Sequence, residues 1–175
     1  SSPILKNDLL AEQITALSSN ASRRHFAMAL SQSHGIDDKD TINQIIANHS
    51  PAYLPSGIDL DDAARFLFTH KMLTVLAHAA AGSFPGEGHY KEVLPPLEIV
   101  EGLLPRFLET GLDGIEVFYP GHTRTHMDQL MSWAKNHDLL VTGGSDCHDE
   151  QDRPLGVSGV SESLFLEFKT RLMKL

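Results

Sequence analysis

Residues 142–150 read Thr-Gly-Gly-Ser-Asp-Cys-His-Asp-Glu, and within them Asp146 and His148 set a carboxylate and an imidazole two positions apart. In an extended segment, side chains two apart point the same way, so this pair would share one face with Cys147 turned to the other. A carboxylate and a neutral imidazole together suit zinc, manganese or iron. Gly143 and Gly144 would let the backbone pass close to something bulky or take unusual dihedrals. His78 ends the apolar run Leu-Thr-Val-Leu-Ala-His at 73–78 and could supply a third ligand. The plain alternative is a loop whose polar residues merely face water.

Other residues with chemical potential are more ambiguous. Glu116 lies inside the apolar run Gly-Ile-Glu-Val-Phe, where a carboxylate faces either the mouth of a sheet or a structural partner such as an arginine. His122 and His126 are spaced i, i+4 at the start of a helical pattern, a spacing that could serve one metal. His126, among threonine and arginine, reads better as solvent-facing, and His122 lies nearer the preceding strand. Arg23, Arg24 and His25 open another helix, where cations beside a helix N-terminus make a phosphate site or simply a solvated basic cluster. The remaining histidines show no spacing logic. No G-x-G-x-x-G, Walker loop, G-x-S-x-G or C-x-x-C is present, so nucleotide-fold and serine- or cysteine-nucleophile chemistry lack support.

The elements that must position these residues fall into two textures. Helices are expected over 8–17, 22–32, 38–49 and 59–71, with Ser22 as an N-cap, Gly35 as a stop and 50–57 as a Pro/Gly/Ser connector. From residue 72 the pattern alternates. Strands are expected at 73–78, 113–119 and 139–148, and helices at 97–111 (disturbed at Pro105), 122–138 and 161–174. Residues 1–71 thus read as a mainly helical insert or cap, and 72–175 as parallel βαβ units. In such sheets functional residues gather at the C-terminal strand ends. All three expected strands end in candidates: His78, then Glu116 with His122, then Asp146 with His148.

Composition bounds the function classes. The 175 residues, 41% hydrophobic, are enough for one domain with a real core. A formal charge of −9 argues against a broad nucleic-acid-binding surface, though bound cations would still admit a phosphate substrate. No apolar run is long enough to span a bilayer and no signal peptide opens the chain, so no membrane association is expected. The single cysteine, Cys147, fits a reducing cytoplasm. Ten histidines are the one compositional excess.

The segments Val-Leu-Ala-His-Ala-Ala (75–80), Gly-Leu-Asp-Gly-Ile-Glu-Val-Phe-Tyr-Pro-Gly-His-Thr (111–123) and Leu-Leu-Val-Thr-Gly-Gly-Ser-Asp-Cys-His-Asp-Glu (139–150) resemble later motifs of the polymerase-and-histidinol-phosphatase (PHP) family. The match is to its stand-alone branch of metal-dependent phosphoesterases, and residues 22–30 and 52–57 are similar to that branch's helical insert. The resemblance implies an α/β fold, the C-terminal part of a distorted seven-stranded β/α, TIM-like barrel that holds two or three divalent metals. It assigns His78, Asp146 and His148 as metal ligands and Arg24, His25 and His122 to the phosphate, with His122, Arg24 and His25 also serving catalysis. Glu116 matches a glutamate typical of the branch and is assigned to substrate binding. The implied metals are manganese, zinc or iron, and the implied substrates are nucleotides or short oligonucleotides.

Two departures from the family pattern stand out. The usual His-Pro of the third motif is His78-Ala79, and the family's opening His-x-His strand has no counterpart. The expected reading is therefore a metal-dependent phosphoesterase, of which this chain carries the C-terminal part. Alternatives are a catalytically incomplete fragment or metal- or phosphate-binding remnant, a 5′-to-3′ exoribonuclease or histidinol-phosphatase-like enzyme, and an amidohydrolase-like enzyme on a related barrel. Open strand edges in half a barrel would invite pairing with a missing N-terminal half or a second copy.

Overall fold

A computed structural model describes residues 5–46, 50, 57–86, 90–91, 94–147 and 153–175. His148 lies outside the described residues, as do residues 47–49 and most of the 50–57 connector. The chain divides into two compact units, Ser1–Gly57 and Ile58–Leu175.

The first unit is helical. Helices α1 (Ala11–Thr15), α2 (Arg23–His34) and α3 (Lys39–Ile46) pack in sequence order, α1 on α2 and α2 on α3. Ile14, Ala29, Leu30 and Ile45 supply their buried apolar side chains. α2 begins after Ser22, whose extended backbone puts it at the N-cap. It ends at Gly35, with φ +65, where the Gly35 N–H bonds Ser31 C=O and the Ile36 N–H bonds Leu30 C=O. That left-handed C-cap is the stop expected of a glycine there. α1 is shorter than the sequence pattern suggests, five residues against ten, because a brief amphipathic stripe gives little helical cooperativity.

The second unit begins with α4 (Leu60–Thr69), capped by Asp59, whose carboxylate accepts the Asp61 N–H at 2.9 Å. The Arg106 guanidinium bonds Asp61, tying α4 to α5 (Leu97–Glu109). The sheet has three parallel strands in the order β1 (Val75–Leu76), β2 (Gly114–Phe118), β3 (Leu140–Gly143). Helix α5 connects β1 to β2, α6 (Arg124–Asn136) connects β2 to β3, and α7 (Glu162–Leu172) comes next and packs on β3. This is the alternation expected from sequence. The described residues form an open three-stranded sheet, with no closed barrel among them.

Alternating burial drives the layering. Ile115, Val117 and Leu140 are almost fully buried, and Leu97, Val100 and Leu104 of α5 join Leu130, Trp133 and Ala134 of α6 in one cluster with Ile115, Val117 and Val141. Each such large apolar side chain contributes about 1.5–3 kcal/mol by leaving water. α5 continues through Pro105 rather than breaking there. Pro105 and Glu101, whose carbonyl loses its donor, are both solvent-exposed, so water can take that carbonyl.

All three expected strands are shorter in the structure, the second by one residue at each end. The first is two residues, and the third stops at Gly143 instead of running to 148. β2 and β3 also slip in register between Glu116 and Phe118: Glu116 faces Thr142, Phe118 faces Gly143, and Val117 is the extra residue. A bulge of this kind bends a strand and re-aims the residues beyond it. Gly143 makes the bulge possible, since a Cβ there would lie 2.6 Å from the Phe118 Cβ and 2.7 Å from its carbonyl oxygen.

Candidate active site

The C-terminal ends of the three strands hold a cluster of polar and aromatic side chains. After β1, His78 has a left-handed backbone with φ +32, and its N–H is held at 2.7 Å by the Glu116 carboxylate from the middle of β2. The acid inside an apolar strand is thus explained: it faces the strand end and anchors the turn that carries His78. Burial pushes the Glu116 pKa above the usual carboxylate range, with the Asp146 charge adding to it. The His78 N–H and the His78 charge act in the opposite direction. These charge effects bring His78, Glu116 and Asp146 into one electrostatic neighbourhood.

Asp146 comes after β3 but is not on an extended strand. Its φ is +50, so strand alternation does not set the direction of its side chain. The expectation that Asp146 and His148 share a face by period-two geometry fails at Asp146, because the strand has ended and the backbone has turned left-handed. The Asp146 Oδ2 accepts the Tyr119 hydroxyl at 2.9 Å and an Arg153 N–H at 2.9 Å. The same Arg153 nitrogen bonds the Tyr119 hydroxyl, and Tyr90 stands 3.3 Å from that hydroxyl. Burial, then hydrogen bonds to Tyr90 and Asp146, push the Tyr119 pKa up, which keeps it a proton donor. Burial works against the Arg153 charge, but its hydrogen bond to Tyr90 and the Asp146 carboxylate outweigh it and raise its pKa.

His122 forms the floor. It lies just before the α6 N-cap Thr123, is 7% exposed, and its Nδ1 sits 2.8 Å from the carbonyl oxygen of Val117, the bulge residue. A carbonyl can only accept, so Nδ1 carries the proton and the neutral ring keeps its lone pair on Nε2. Nε2 is buried with no hydrogen-bond partner among the described residues. Burial lowers the His122 pKa; the Val117 bond opposes this, and the neighbouring His126 and His78 charges reinforce it. Phe84 and Tyr119 wall the ring at 5.8 and 5.3 Å between centroids.

His126 corrects an expectation. It is half-buried, not solvent-facing, and stacks on Phe84 at 6.4 Å with its ring perpendicular to His122. The Thr123 hydroxyl caps its N–H at 3.2 Å, which fixes the first turn of α6 inward.

Arg24 and His25 belong to the first unit, in the opening turn of α2. His25 Nδ1 accepts the Ser22 N–H at 3.0 Å, so its neutral form carries the proton on Nε2. Sequence reasoning missed Tyr119, Tyr90, Phe84 and Arg153. The strand-end rule would have selected Tyr119, which directly succeeds β2, and the loop after β1 holds Phe84 and Tyr90. Arg153 carried no spacing signal.

The described donors do not make a metal site unaided. Among the described residues no three His, Cys, Asp or Glu side chains are grouped to hold one ion. Asp146 is occupied by Tyr119 and Arg153, and the third assigned ligand, His148, lies outside the described residues. No described helix is long and apolar enough to cross a membrane.

No family model matches the chain. It is 34% identical over 96 residues, 55% of this chain and 30% of the other, to a phosphoribosyl 1,2-cyclic phosphate 1,2-diphosphodiesterase of Eggerthella lenta. It is 26% identical over 161 residues, 87% of this chain and 53% of the other, to a 3′,5′-nucleoside bisphosphate phosphatase of Chromobacterium violaceum. The chain therefore spans between a third and a half, roughly, of the curated relatives it matches. A crystal structure of a Bifidobacterium adolescentis protein, classed as a candidate metal-dependent phosphoesterase, superposes with TM-score 0.71 at 23% identity, over 95% of this chain and 57% of that one. An amidohydrolase of Chromobacterium violaceum, solved with sulfate and no metal, gives 0.62 at 23% identity over 91% and 55%. Both sequence relatives are hydrolases of phosphoric esters, which fits the PHP-type resemblance at low identity, and the solved structures share the fold.

Proposed function

We propose that this chain is part of a phosphoester hydrolase of the PHP type, acting on a small phosphorylated substrate such as a nucleotide bisphosphate, a cyclic sugar phosphate or a short oligonucleotide. The observation that carries the reading is the gathering of His78, Glu116, Tyr119, Asp146 and Arg153 at the C-terminal ends of three parallel strands. The two phosphoesterase relatives supply the reaction class. In this reading the sheet is the C-terminal part of the family's barrel, and residues 1–71 are the family's helical insert. The lone cysteine suits a cytoplasmic setting.

The residues divide the work by their hydrogen bonding. Glu116 positions His78 rather than touching substrate. Tyr119 stays protonated and donates, and Arg153 brings a permanent positive charge to the mouth. His122 has Nδ1 committed to Val117, so Nε2 is the atom of that ring able to exchange a proton with a leaving oxygen. Divalent metal use by the whole protein belongs to this proposal, drawing on His78, Asp146 and His148. Manganese, zinc and iron all suit those donor types.

The test is phosphate release by the full-length protein from 3′,5′-nucleoside bisphosphate, a cyclic phosphodiester, an oligoribonucleotide and histidinol phosphate, with and without a chelator and against an amide panel. Chelator-sensitive hydrolysis of at least one phosphoester is expected. Hydrolysis of amides alone would overturn the reading. A second reading is a phosphate-binding remnant. It predicts phosphate binding without turnover in the full-length protein.

A further inference from the structure

His122 holds a buried lone pair with nothing to bond. Its Nδ1 faces the Val117 carbonyl, so Nε2 lies on the far side of the ring, buried and with no hydrogen-bond partner among the described residues. The rings around it do not serve it. The Tyr119 hydroxyl donates to Asp146, the His126 Nδ1 accepts the Thr123 N–H at 3.3 Å, and Phe84 has no polar side-chain atom. Phe84 stands edge to face with His122 at 5.8 Å, stacks on Tyr119 at 5.7 Å and on His126 at 6.4 Å, and meets Tyr90 at 5.7 Å. A bare acceptor among aromatic rings is unfavourable, and native structures keep one where chemistry uses the group. The Phe84 ring is also built to leave. Its edge fills the space that a side chain at Gly121 would take: a Cβ there would lie 2.4–3.0 Å from three ring carbons, the nearest atoms to it. The turn beneath the ring is pinned. The Ala81 N–H bonds the His78 C=O and the Ser83 N–H bonds the Ala80 C=O, both at 2.9 Å, and the Ser83 Oγ accepts the Leu97 N–H at 2.8 Å. Phe84 is half-buried, and Pro85 and Gly86 beyond it are exposed. Rotation between staggered side-chain wells therefore carries the ring into solvent with the backbone in place.

We propose that Phe84 is a displaceable cover over His122: without a ligand its ring sits in the Gly121 notch and keeps Nε2 dry, and a phosphoester ligand enters as the ring rotates out. This rests on the reading of the site as a phosphoester site in which Nε2 exchanges a proton with the leaving oxygen. It adds the step that uncovers that atom. A ligand that needs the ring out binds with an affinity reduced by the fraction of molecules in which the ring is out. A Phe84 that is only core packing makes the opposite predictions. Removing it would loosen His122 and weaken binding, and crowding it from Gly121 would destabilise the fold.

The experiment is modification of the full-length protein with diethyl pyrocarbonate, which acylates accessible unprotonated imidazole nitrogens. Labelling at His122 is followed by peptide mass spectrometry, with the exposed His137 as internal standard. Gly121→Ala and Phe84→Ala should each label at His122 roughly tenfold faster than wild type, the ratio for an open form about a tenth populated, with His137 unchanged. Calorimetric titration of inorganic phosphate should show Phe84→Ala binding roughly tenfold more tightly, for the same reason. Gly121→Ala should melt within about 5 °C of wild type because the ring gives way, and a larger drop means a fixed ring and overturns the proposal. Unchanged His122 labelling in folded Gly121→Ala overturns it too, as does unchanged, weaker or absent phosphate binding by folded Phe84→Ala. Should Phe84→Ala not fold, the labelling and melting of Gly121→Ala decide by themselves. Faster His122 labelling in a protein that hydrolyses no phosphoester would sink the proposed function and leave the cover standing. Unchanged labelling in an active enzyme would sink the cover alone.

Discussion

The Glu116 carboxylate accepts the backbone N–H of His78 at 2.7 Å, so an acid in the middle strand fixes the turn that ends its neighbour. The two strands are already in register, Leu76 opposite Ile115, and this bond extends their pairing by a side chain where the ladder stops. It also explains why a half-buried carboxylate with a raised pKa is kept in an apolar strand.

Glu116→Ala should therefore cost about 1–3 kcal/mol, the usual penalty for stranding a partly buried N–H. Glu116→Gln keeps an acceptor and should lose far less. Because the folded pKa of Glu116 lies above its ordinary value of 4.5, its contribution is complete below pH 4.5 and is lost as pH rises through the folded pKa. Glu116→Gln should remove that part of the pH dependence. Urea unfolding of the three proteins at pH 4 and pH 7 checks both statements.

His122 titrates with the opposite sign. Burial sets its folded pKa below the ordinary 6.5, so the unfolded chain binds the proton more readily. The contribution is fully present above pH 6.5 and is lost as pH falls through the folded pKa. His122→Phe, which suits the aromatic surroundings of Phe84 and Tyr119, should flatten thermal stability across that acid limb. Melting temperatures of both proteins measured from pH 5 to pH 8 would show whether the slope tracks this ring.

The two adjacent glycines should behave differently. A Cβ at Gly143 meets Phe118 backbone and Cβ at 2.6–3.2 Å, whereas one at Gly144 meets only the Glu116 Oε1 at 3.7 Å. Gly143→Ala should destabilise by about 1–3 kcal/mol through overpacking, and Gly144→Ala should be nearly neutral. Equal effects in chemical denaturation would mean the bulge is not what Gly143 serves.

Thr123→Ala removes the hydroxyl that caps the His126 N–H at 3.2 Å. A loss of about 0.5–2 kcal/mol is expected, typical of an N-cap. Because that turn also carries His126 against Phe84, the variant should change the histidine's NMR shifts as well as the melting temperature.

Much of the sheet was legible because periodicity and burial agree. Ile115, Val117, Leu140 and Val141 are apolar, clustered in sequence and buried, and the helices between them carry the stripe that covers them. The candidates at strand ends came from the same alternation. The third strand was overextended because Thr-Gly-Gly-Ser is polar and small enough to read as either strand or turn, and only the bulge at Val117 decides it. The role of Glu116 was out of reach for a related reason, since its partner is a backbone N–H 38 positions away and leaves no trace in residue type. Arg153 was invisible because its contacts, Tyr119 and Asp146, lie 34 and 7 positions away and leave no trace in residue type.

Three described non-glycine residues have a left-handed backbone: His78, Asp138 and Asp146. For an L-residue that conformation costs roughly 1 kcal/mol or more, and glycine would relieve it. Two of the three carry the side chains assigned to the chemistry. Glycine at 78 or 146 would ease the backbone while deleting an imidazole or the carboxylate that holds Tyr119 and Arg153, so relief of strain and retention of the proposed site pull in opposite directions at these two positions.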